Sequence, residues 1–582
     1  MTDKRLIMTK KHILTALFAL LALCASAQSP QLGMPLKLPA APSGTFAEIR
    51  TNHYHGGLDL RIGGDDGIGT PVYAPADGYV SRVRISAYDG GKMLYINHAG
   101  YITTVYLHLD GYHGAIADYV QQVQNAEQCY TFDTVVEPGL LPVKKGDLIA
   151  YAGNSGMSGG PHLHYEVRNT LNQNTLNPLN YGITFSDTLK PNIRGIRILP
   201  FNGFTRIEGS KHPYLLADKD TLTIRGRFYL GVYATDVSEG STERNGYDKI
   251  DIWVDGVPFF QYQMTEIPSS DSRAINAQLD YEHYLATRQG YIITRRLVGD
   301  PIRPARTFGD GSIGFIESDT TLHRITVAVS DFNGNQAVRR FFVRNSLETL
   351  VPMHEVPEHP SMRQHSDSIF YSQPLSIYRG EYQIEMPKGM LYYDDLLIHG
   401  DRKDRRHISP IVMVKPWKSP YPPNHTFQLR VPIPIGYEPT QLVVCSLRND
   451  KLNACTTRIV ERRTEGKYGS WLEADARVFG EFVVALDSVA PNVSPSNFKN
   501  GKTFKGNVIR LKISDNLSGI KEYRCFLNGE WVLAEFDGKY AQLSIALARQ
   551  YNDLLREGTN TLRVFVTDCC GNEKDVTYTF SR

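Results

Sequence analysis

His162-Leu163-His164-Tyr165-Glu166-Val167-Arg168 reads as one short strand. Residues two apart on a strand share a face, so His162 and His164 point the same way. Similar runs punctuated by glycine come before it, at 71–74, 78–86, 93–98, 102–108 and 148–152. Together they predict an antiparallel all-β domain over residues 34–185. One stretch breaks the pattern. Between 114 and 130, Ile116, Val120 and Val123 recur at helical spacing, so 114–142 is expected to be an insertion that could form a flap after His108.

Beyond residue 186 an internal repeat begins. Asp187-Thr188-Leu189-Lys190-Pro191-Asn192 is echoed by Asp487-Ser488-Val489-Ala490-Pro491-Asn492. Each copy continues with an alternating strand ending in Thr235-Asp236 or Ser514-Asp515, then Trp253-Val254-Asp255-Gly256 or Phe526-Leu527-Asn528-Gly529. Each closes with a strand, a turn and a strand, around Asp331-Phe332-Asn333-Gly334-Asn335 and Asp568-Cys569-Cys570-Gly571-Asn572. Asp and Gly-Asn suit such tight turns through side-chain hydrogen bonds and positive φ. About seven short strands per copy predict immunoglobulin-like sandwiches at 187–346 and 487–582. Between them, 347–374 reads as a polar linker and 375–486 as a β-rich domain of unassigned fold. The fold class is therefore mainly β: an antiparallel β domain followed by immunoglobulin-like β-sandwich domains.

At 582 residues, with 41% hydrophobic and 21% charged side chains, the chain is an ordinary globular sequence too long for one core. Residues 1–27 read as a signal peptide: Lys10, Lys11 and His12 precede an apolar run over 13–25, and Ala25-Ser26-Ala27 offers a cleavage site. Cys24 could carry a lipid, but Leu23 before it is large for a lipobox, so ordinary cleavage is expected. No transmembrane anchor is expected after cleavage, because no apolar run is long enough to span a bilayer. The leader holds Lys4, Arg5, Lys10 and Lys11 against Asp3, and the formal charge of the whole chain is only +2. The remainder is near neutral, which gives no electrostatic reason to expect a nucleic-acid partner. Export permits disulfides. Cys445 with Cys455, and Cys525 with Cys569 or Cys570, are candidate pairs, and free thiols fit the sequence nearly as well.

Hydrolytic chemistry is suggested by where the histidines fall. Catalytic zinc takes three protein ligands from His, Asp or Glu and leaves a position for water. His55-Gly56-Gly57-Leu58-Asp59 supplies an imidazole and a carboxylate, His162 and His164 supply two imidazoles, and His108 another. Residues 55 and 59 would stand ~13 Å apart on a straight strand, and Gly56 and Gly57 permit a bend that brings them together. One of His162 and His164 can bind metal while the other faces water. His53 and His98 read as structural turn residues. Glu166 shares a face with His164 and fits either a supporting carboxylate or packing. Asn52 and Tyr54 flank the first motif and could line a groove.

His55-x-Gly57-x-Asp59, the run from Gly69 to Gly78 (GTPVYAPADG), and Gly153-Asn154-Ser155-Gly156 leading to Gly160-Pro161-His162-Leu163-His164-Tyr165-Glu166 together resemble the lysostaphin/LytM-type zinc metallopeptidases, the peptidoglycan endopeptidases of the duplicated hybrid motif. The resemblance covers about residues 45–182 and implies Zn2+ on His55, Asp59 and His164. It implies catalytic roles for His108 and His162, which would hold the attacking water and polarise the scissile carbonyl. No H-E-x-x-H glutamate is present, so histidine must act as base. The insertion at 114–142 departs from the family pattern.

The expected function is that of an exported zinc-dependent metalloendopeptidase acting on peptide cross-links of bacterial peptidoglycan, in the periplasm, cell envelope or exterior. The alternative is a non-catalytic scaffold or activator of cell-wall hydrolases, against which stands the presence of all five site residues. For the C-terminal half an adhesin or polysaccharide binder is a third reading. Trp253, Trp417, Trp471 and Trp531 are too scattered for a carbohydrate platform, so an envelope protein partner or a spacer role is expected there.

Overall fold

The computed structural model describes residues 30–37, 42–63, 67–216, 221–239, 243–302, 306–346, 365–464, 467–547 and 551–582. The expected leader, 1–27, lies outside the described residues, as does most of the expected linker.

The N-terminal unit is built on one antiparallel path of strands: Pro42–Gly44, Leu58–Leu60, Leu163–Asn169, Ile102–Tyr112, Lys92–His98, Gly78–Ile85 and Pro142–Val143. Leu148–Ala152 pairs with Thr70–Tyr73 and crosses to the far end of Ile102–Tyr112. The central strand Leu163–Asn169 is covered on both faces. Leu163, Tyr165 and Val167 enter the apolar core, while His164 and Glu166 are buried on the other side. That opposite face carries the polar site, as the period of two requires.

The insertion does not cover the histidines. Gly114–Glu127 is a helix whose buried residues are Ile116, Val120 and Gln124. After it, Phe132–Val135 adds to the edge strand Gly78–Ile85, three strands away from Leu163–Asn169 along the path. The flap expectation fails because Tyr130 and Phe132 find apolar partners at that edge and dock there.

Both repeated segments form pairs of sheets around a shared core. In the first, a four-stranded sheet containing Asn192–Pro200 and Phe228–Thr235 faces a seven-stranded one containing Lys249–Val254, Leu322–Ser330 and Gln336–Asn345. In the second, a four-stranded and a five-stranded sheet enclose Ile509, Leu511, Leu562 and Val564. Each contains one parallel pair, Thr221–Arg225 with Gln336–Asn345 and Lys502–Thr503 with Glu573–Ser581. Each also has a tight hairpin turn at a matching place in the repeat. Asp255 and Gly256, and likewise Asn528 and Gly529, have positive φ, as two-residue turns between twisted strands demand.

Residues 365–486 form six- and five-stranded sheets around Ile384, Val414, Leu429 and Leu472. Part of the stretch read as a linker is strand here, because His365–Ile369 pairs with Asp395–Arg402. All six cysteines outside the leader are free thiols. The hairpin register opposes Cys445 to Ala454, which leaves Cys455 out of opposition for a bridge. Cys525 and Cys570 belong to separate apolar clusters.

The chain closes on itself. Phe46 and Tyr54 of the first unit enter the core of the first repeat, and Tyr112 and Tyr130 share a core with Tyr523 of the last one. At that second junction Lys92 pairs with Glu535 at 3.0 Å, and Tyr88 meets Phe536 edge-on at 5.7 Å. Among the described residues no helix is long and apolar enough to cross a membrane.

Candidate metal centre

Strand register assembles the centre. Leu163–Asn169 lies between Leu58–Leu60 and Ile102–Tyr112, with His164 opposite Asp59 on one side and Leu107 on the other. His55 reaches in from the loop preceding Leu58. His55 Nε2 is 3.0 Å from Asp59 Oδ1 and 3.1 Å from His164 Nδ1, and His164 Nδ1 is 2.8 Å from Asp59 Oδ1. Ligand atoms at tetrahedral zinc distances stand about 3.3 Å from one another, so this spacing suits one ion. Glycine matters here through contact rather than through a turn. A Cβ on Gly57 would lie 2.4 Å from the Tyr165 carbonyl oxygen, so only glycine lets this segment approach the central strand so closely.

The other ring nitrogens of the two ligand candidates are engaged. His55 Nδ1 donates to the Thr45 carbonyl at 2.7 Å, and His164 Nε2 donates to Glu166 Oε1 at 3.1 Å. Those bonds set tautomers that leave a lone pair on each nitrogen facing the centre. Glu166 is in turn gripped by Arg168 Nε at 2.5 Å. Asp59 keeps its second oxygen on Arg50 Nη2 at 3.1 Å.

His108 and His162 stand beside this group. Their rings are 4.9 Å apart between centroids, and His162 Nε2 is 3.4 Å from Asp59 Oδ1. Both present Nε2 towards the centre because Nδ1 is held by main chain: His108 Nδ1 by the Ser155 carbonyl at 2.9 Å, His162 Nδ1 by the Gly160 carbonyl at 2.8 Å. His108 adopts φ of +61° where the pairing with Lys92–His98 shifts register. A non-glycine residue in that region next to a bulge is strain of the kind found at functional sites.

Electrostatics separate the two groups. Burial alone would raise the Asp59 carboxyl, but hydrogen bonds from His162, His164 and His55 hold it far below the usual range. Burial likewise opposes charge on His164, yet Asp59 and Glu166 outweigh it and raise the imidazole to about 9. An incoming cation therefore competes with a proton there. Glu166 is lowered to about 2, because Arg168 and His164 overcome its burial. His108 moves the other way. Burial lowers it to about 4, against the pull of the Ser155 carbonyl and helped by the neighbouring His162 and His164, so it stays a neutral base at physiological pH.

All five residues picked out by motif, His55, Asp59, His108, His162 and His164, are thus brought together. His98 lies elsewhere, bound to the Asp77 carbonyl and Thr104 Oγ1, and His53 bonds the Thr51 carbonyl. Tyr54 does not line a groove. It is 2% exposed and faces the first repeat, because alternation in the His53–Tyr54 strand turns it inward. Arg50, Thr45 and the carbonyls of Ser155 and Gly160 escape sequence reasoning, since only tertiary folding brings them to the site. The segment supplying those two carbonyls is itself anchored from afar: Lys539 Nζ donates to the Asn154 carbonyl at 2.5 Å and to the Ser158 carbonyl at 3.5 Å.

A family model described as peptidase family M23 matches residues 53–128. An uncharacterized metalloprotease of Haemophilus influenzae is 35% identical over 147 residues, 25% of this chain and 26% of that protein. The peptidoglycan DD-endopeptidase ShyB of Vibrio cholerae is 39% identical over 100 residues, 17% of this chain and 18% of that protein. A solved zinc containing peptidase from Vibrio cholerae is 27% identical, covering 27% of this chain and 41% of that one, with a TM-score of 0.20. The chain spans about a quarter or less of the length of the curated relatives it matches. With its motif residues gathered on one antiparallel sheet, the N-terminal unit belongs to peptidase family M23, the lysostaphin/LytM family.

Proposed function

We propose that the chain is an exported zinc-dependent endopeptidase that hydrolyses peptide cross-links of peptidoglycan in the cell envelope. The observation carrying this reading is the meeting of His55 Nε2, Asp59 Oδ1 and His164 Nδ1 within 3.1 Å of one another, with two further imidazoles beside them. The donor set fits the metal: two nitrogens and one oxygen, each imidazole fixed in the tautomer that presents a lone pair. When bound, zinc supplies Lewis acidity and acidifies water to a pKa of about 7.

The chain's own residues do the rest. His55, Asp59 and His164 hold the ion, with Glu166 and the Thr45 carbonyl fixing the rings. His108 and His162, each with Nδ1–H tied to a carbonyl, offer Nε2 to the attacking water. The neutral His108 imidazole is suited to take its proton and pass it to the departing amine. The His162 imidazole beside it, when Nε2 carries a further proton taken from solvent, can donate a hydrogen bond to the oxygen of the scissile carbonyl as negative charge develops there. It keeps that proton when the carbonyl re-forms. The name of the Vibrio cholerae relative, a peptidoglycan DD-endopeptidase, supports a cross-link peptide as substrate. The two-sheet repeats at 187–346 and 487–582 are proposed as immunoglobulin-like sandwiches that frame the peptidase unit and present it to the wall or to an envelope partner.

Digestion of defined cross-linked muropeptides, followed by mass spectrometry, tests this reading. The full chain should release monomers, lose activity in excess chelator and regain it with zinc. Intact muropeptides in the presence of stoichiometrically bound zinc would overturn it and leave the scaffold alternative.

A further inference from the structure

Two other groups of carboxylates converge, at matching places in the two repeated units. Asp187, Asp236 and Asp331 each bring an oxygen within 4.8 Å of the others, and so do Asp487, Asp515 and Asp568. In each triad the first member sits on the segment entering the unit. The second ends a repeated strand, and the third opens the closing turn. The hydrogen bonds around them are duplicated as well. Asn335 Nδ2 donates to the Asp187 carbonyl at 3.0 Å and to Asp331 Oδ2 at 2.8 Å. Asn572 Nδ2 donates to the Asp487 carbonyl at 2.9 Å and to Asp568 Oδ2 at 2.8 Å.

These bonds organise the triads but do not balance their charge. Among the described residues, no Lys, Arg or His forms an ion pair with any of the six. Asp236 is 5% exposed and Asp487 fully buried, and each keeps a buried Oδ1 with no hydrogen-bond partner, as does Asp515. A buried carboxylate oxygen left unpaired beside two more carboxylates is costly, and here the cost arises twice at equivalent positions. One small cation per triad removes it. In the first unit all three aspartates line a cavity of about 30 Å³, room for a single ion or water.

We propose that each triad binds one Ca2+ ion, which ties the entering segment of its unit to that unit's closing turn. The all-oxygen donors select a hard cation rather than zinc. Three carboxylates in a protein cage suit calcium, which takes six to eight oxygens in flexible geometry, better than magnesium, which keeps its waters and uses one or two carboxylates. The first site also borders Pro42 and Thr45 of the peptidase unit, and the Thr45 carbonyl is the one that holds His55. It therefore braces the junction beside the catalytic sheet.

The full chain, stripped with chelator and resupplied with one equivalent of zinc, is titrated with calcium. Bound ions are counted by atomic emission and melting is followed in parallel. Two calcium ions per chain and a rise in Tm of about 3–6 °C are expected. The Asp236→Asn/Asp331→Asn and Asp487→Asn/Asp568→Asn variants should each retain one ion. Binding of fewer than two calcium ions at millimolar concentration overturns the duplicated assignment. So does unchanged stoichiometry in both variants, or equal binding of magnesium. If a variant fails to fold, the wild-type ion count and the magnesium comparison still decide. Zinc content and peptidase activity are read separately, so failure here leaves the peptidase reading intact.

Discussion

On one side of the histidine centre, Asp59 is held by the Arg50 side chain and His164 by Glu166, itself gripped by Arg168, while the Thr45 carbonyl fixes His55. On the other, His108 and His162 are held by main-chain carbonyls of Ser155 and Gly160. That segment is pinned by Lys539, nearly four hundred residues away. The first arrangement is a closed set of charges in which each member needs the others. The second leaves two imidazoles whose aim depends on a loop and on a neighbouring unit. The ligand side should therefore fail all at once when disturbed, and the imidazole side by degrees.

The sharpest way to break this contrast is at the ligands. His164→Ala removes one donor and the imidazole that Asp59 and Glu166 share, leaving Asp59 to Arg50 and His55 and Glu166 to Arg168. Zinc content should fall below a tenth of an equivalent and muropeptide cleavage to background; full zinc occupancy by atomic emission would erase the distinction. His108→Ala leaves the three ligands in place. It should retain zinc while kcat falls by about 10²–10⁴, the usual worth of a positioned acid–base group. Loss of metal in that variant would mean the two sides are one.

How much of this was legible depends on how local each piece is. His55 and Asp59 are four residues apart and His162 and His164 two, so motif spacing and strand alternation could place them. Ile116 and Val120 announced the helix, but the docking of the segment after it rests on Phe132–Val135 pairing with the edge strand and on Tyr130 sharing a core with Tyr523, partners no local pattern links. The repeat was visible as matching turns around Asp331 and Asp568. That its aspartates converge in three dimensions was not, because Asp187 and Asp331 come from opposite ends of their unit. Which nitrogen of each histidine faces the centre was likewise hidden, being fixed by Thr45 and Ser155 through tertiary contacts.

A smaller effect is expected at Glu166, where the contrast can be sharpened. Glu166→Gln keeps an acceptor for His164 Nε2 but removes the charge, and changes to such supporting groups typically cost 10–100-fold in metal affinity. Competition with a chromogenic chelator should show that weakening, and saturating zinc should restore most of the activity. An unchanged affinity would mean that strand register alone orients His164.

The least severe change, and the one that separates the two sides best, is Lys539→Ala. Lys539 bonds none of the five site residues. It gathers the carbonyls of Asn154 and Ser158, and so fixes the turn from which Ser155 and Gly160 reach His108 and His162. Without it the turn gains freedom and the imidazoles lose aim, which should lower kcat by roughly tenfold or less, since small misplacements of positioned groups are felt in the rate. KM should move little, and the zinc affinity not at all, because no ligand is bonded to that turn. Lys539→Arg, which can still donate to both carbonyls, should recover most of the rate. A loss of zinc affinity in Lys539→Ala would show instead that the last unit supports the ligand strands, and the division between a self-sufficient ligand side and a dependent imidazole side would fall.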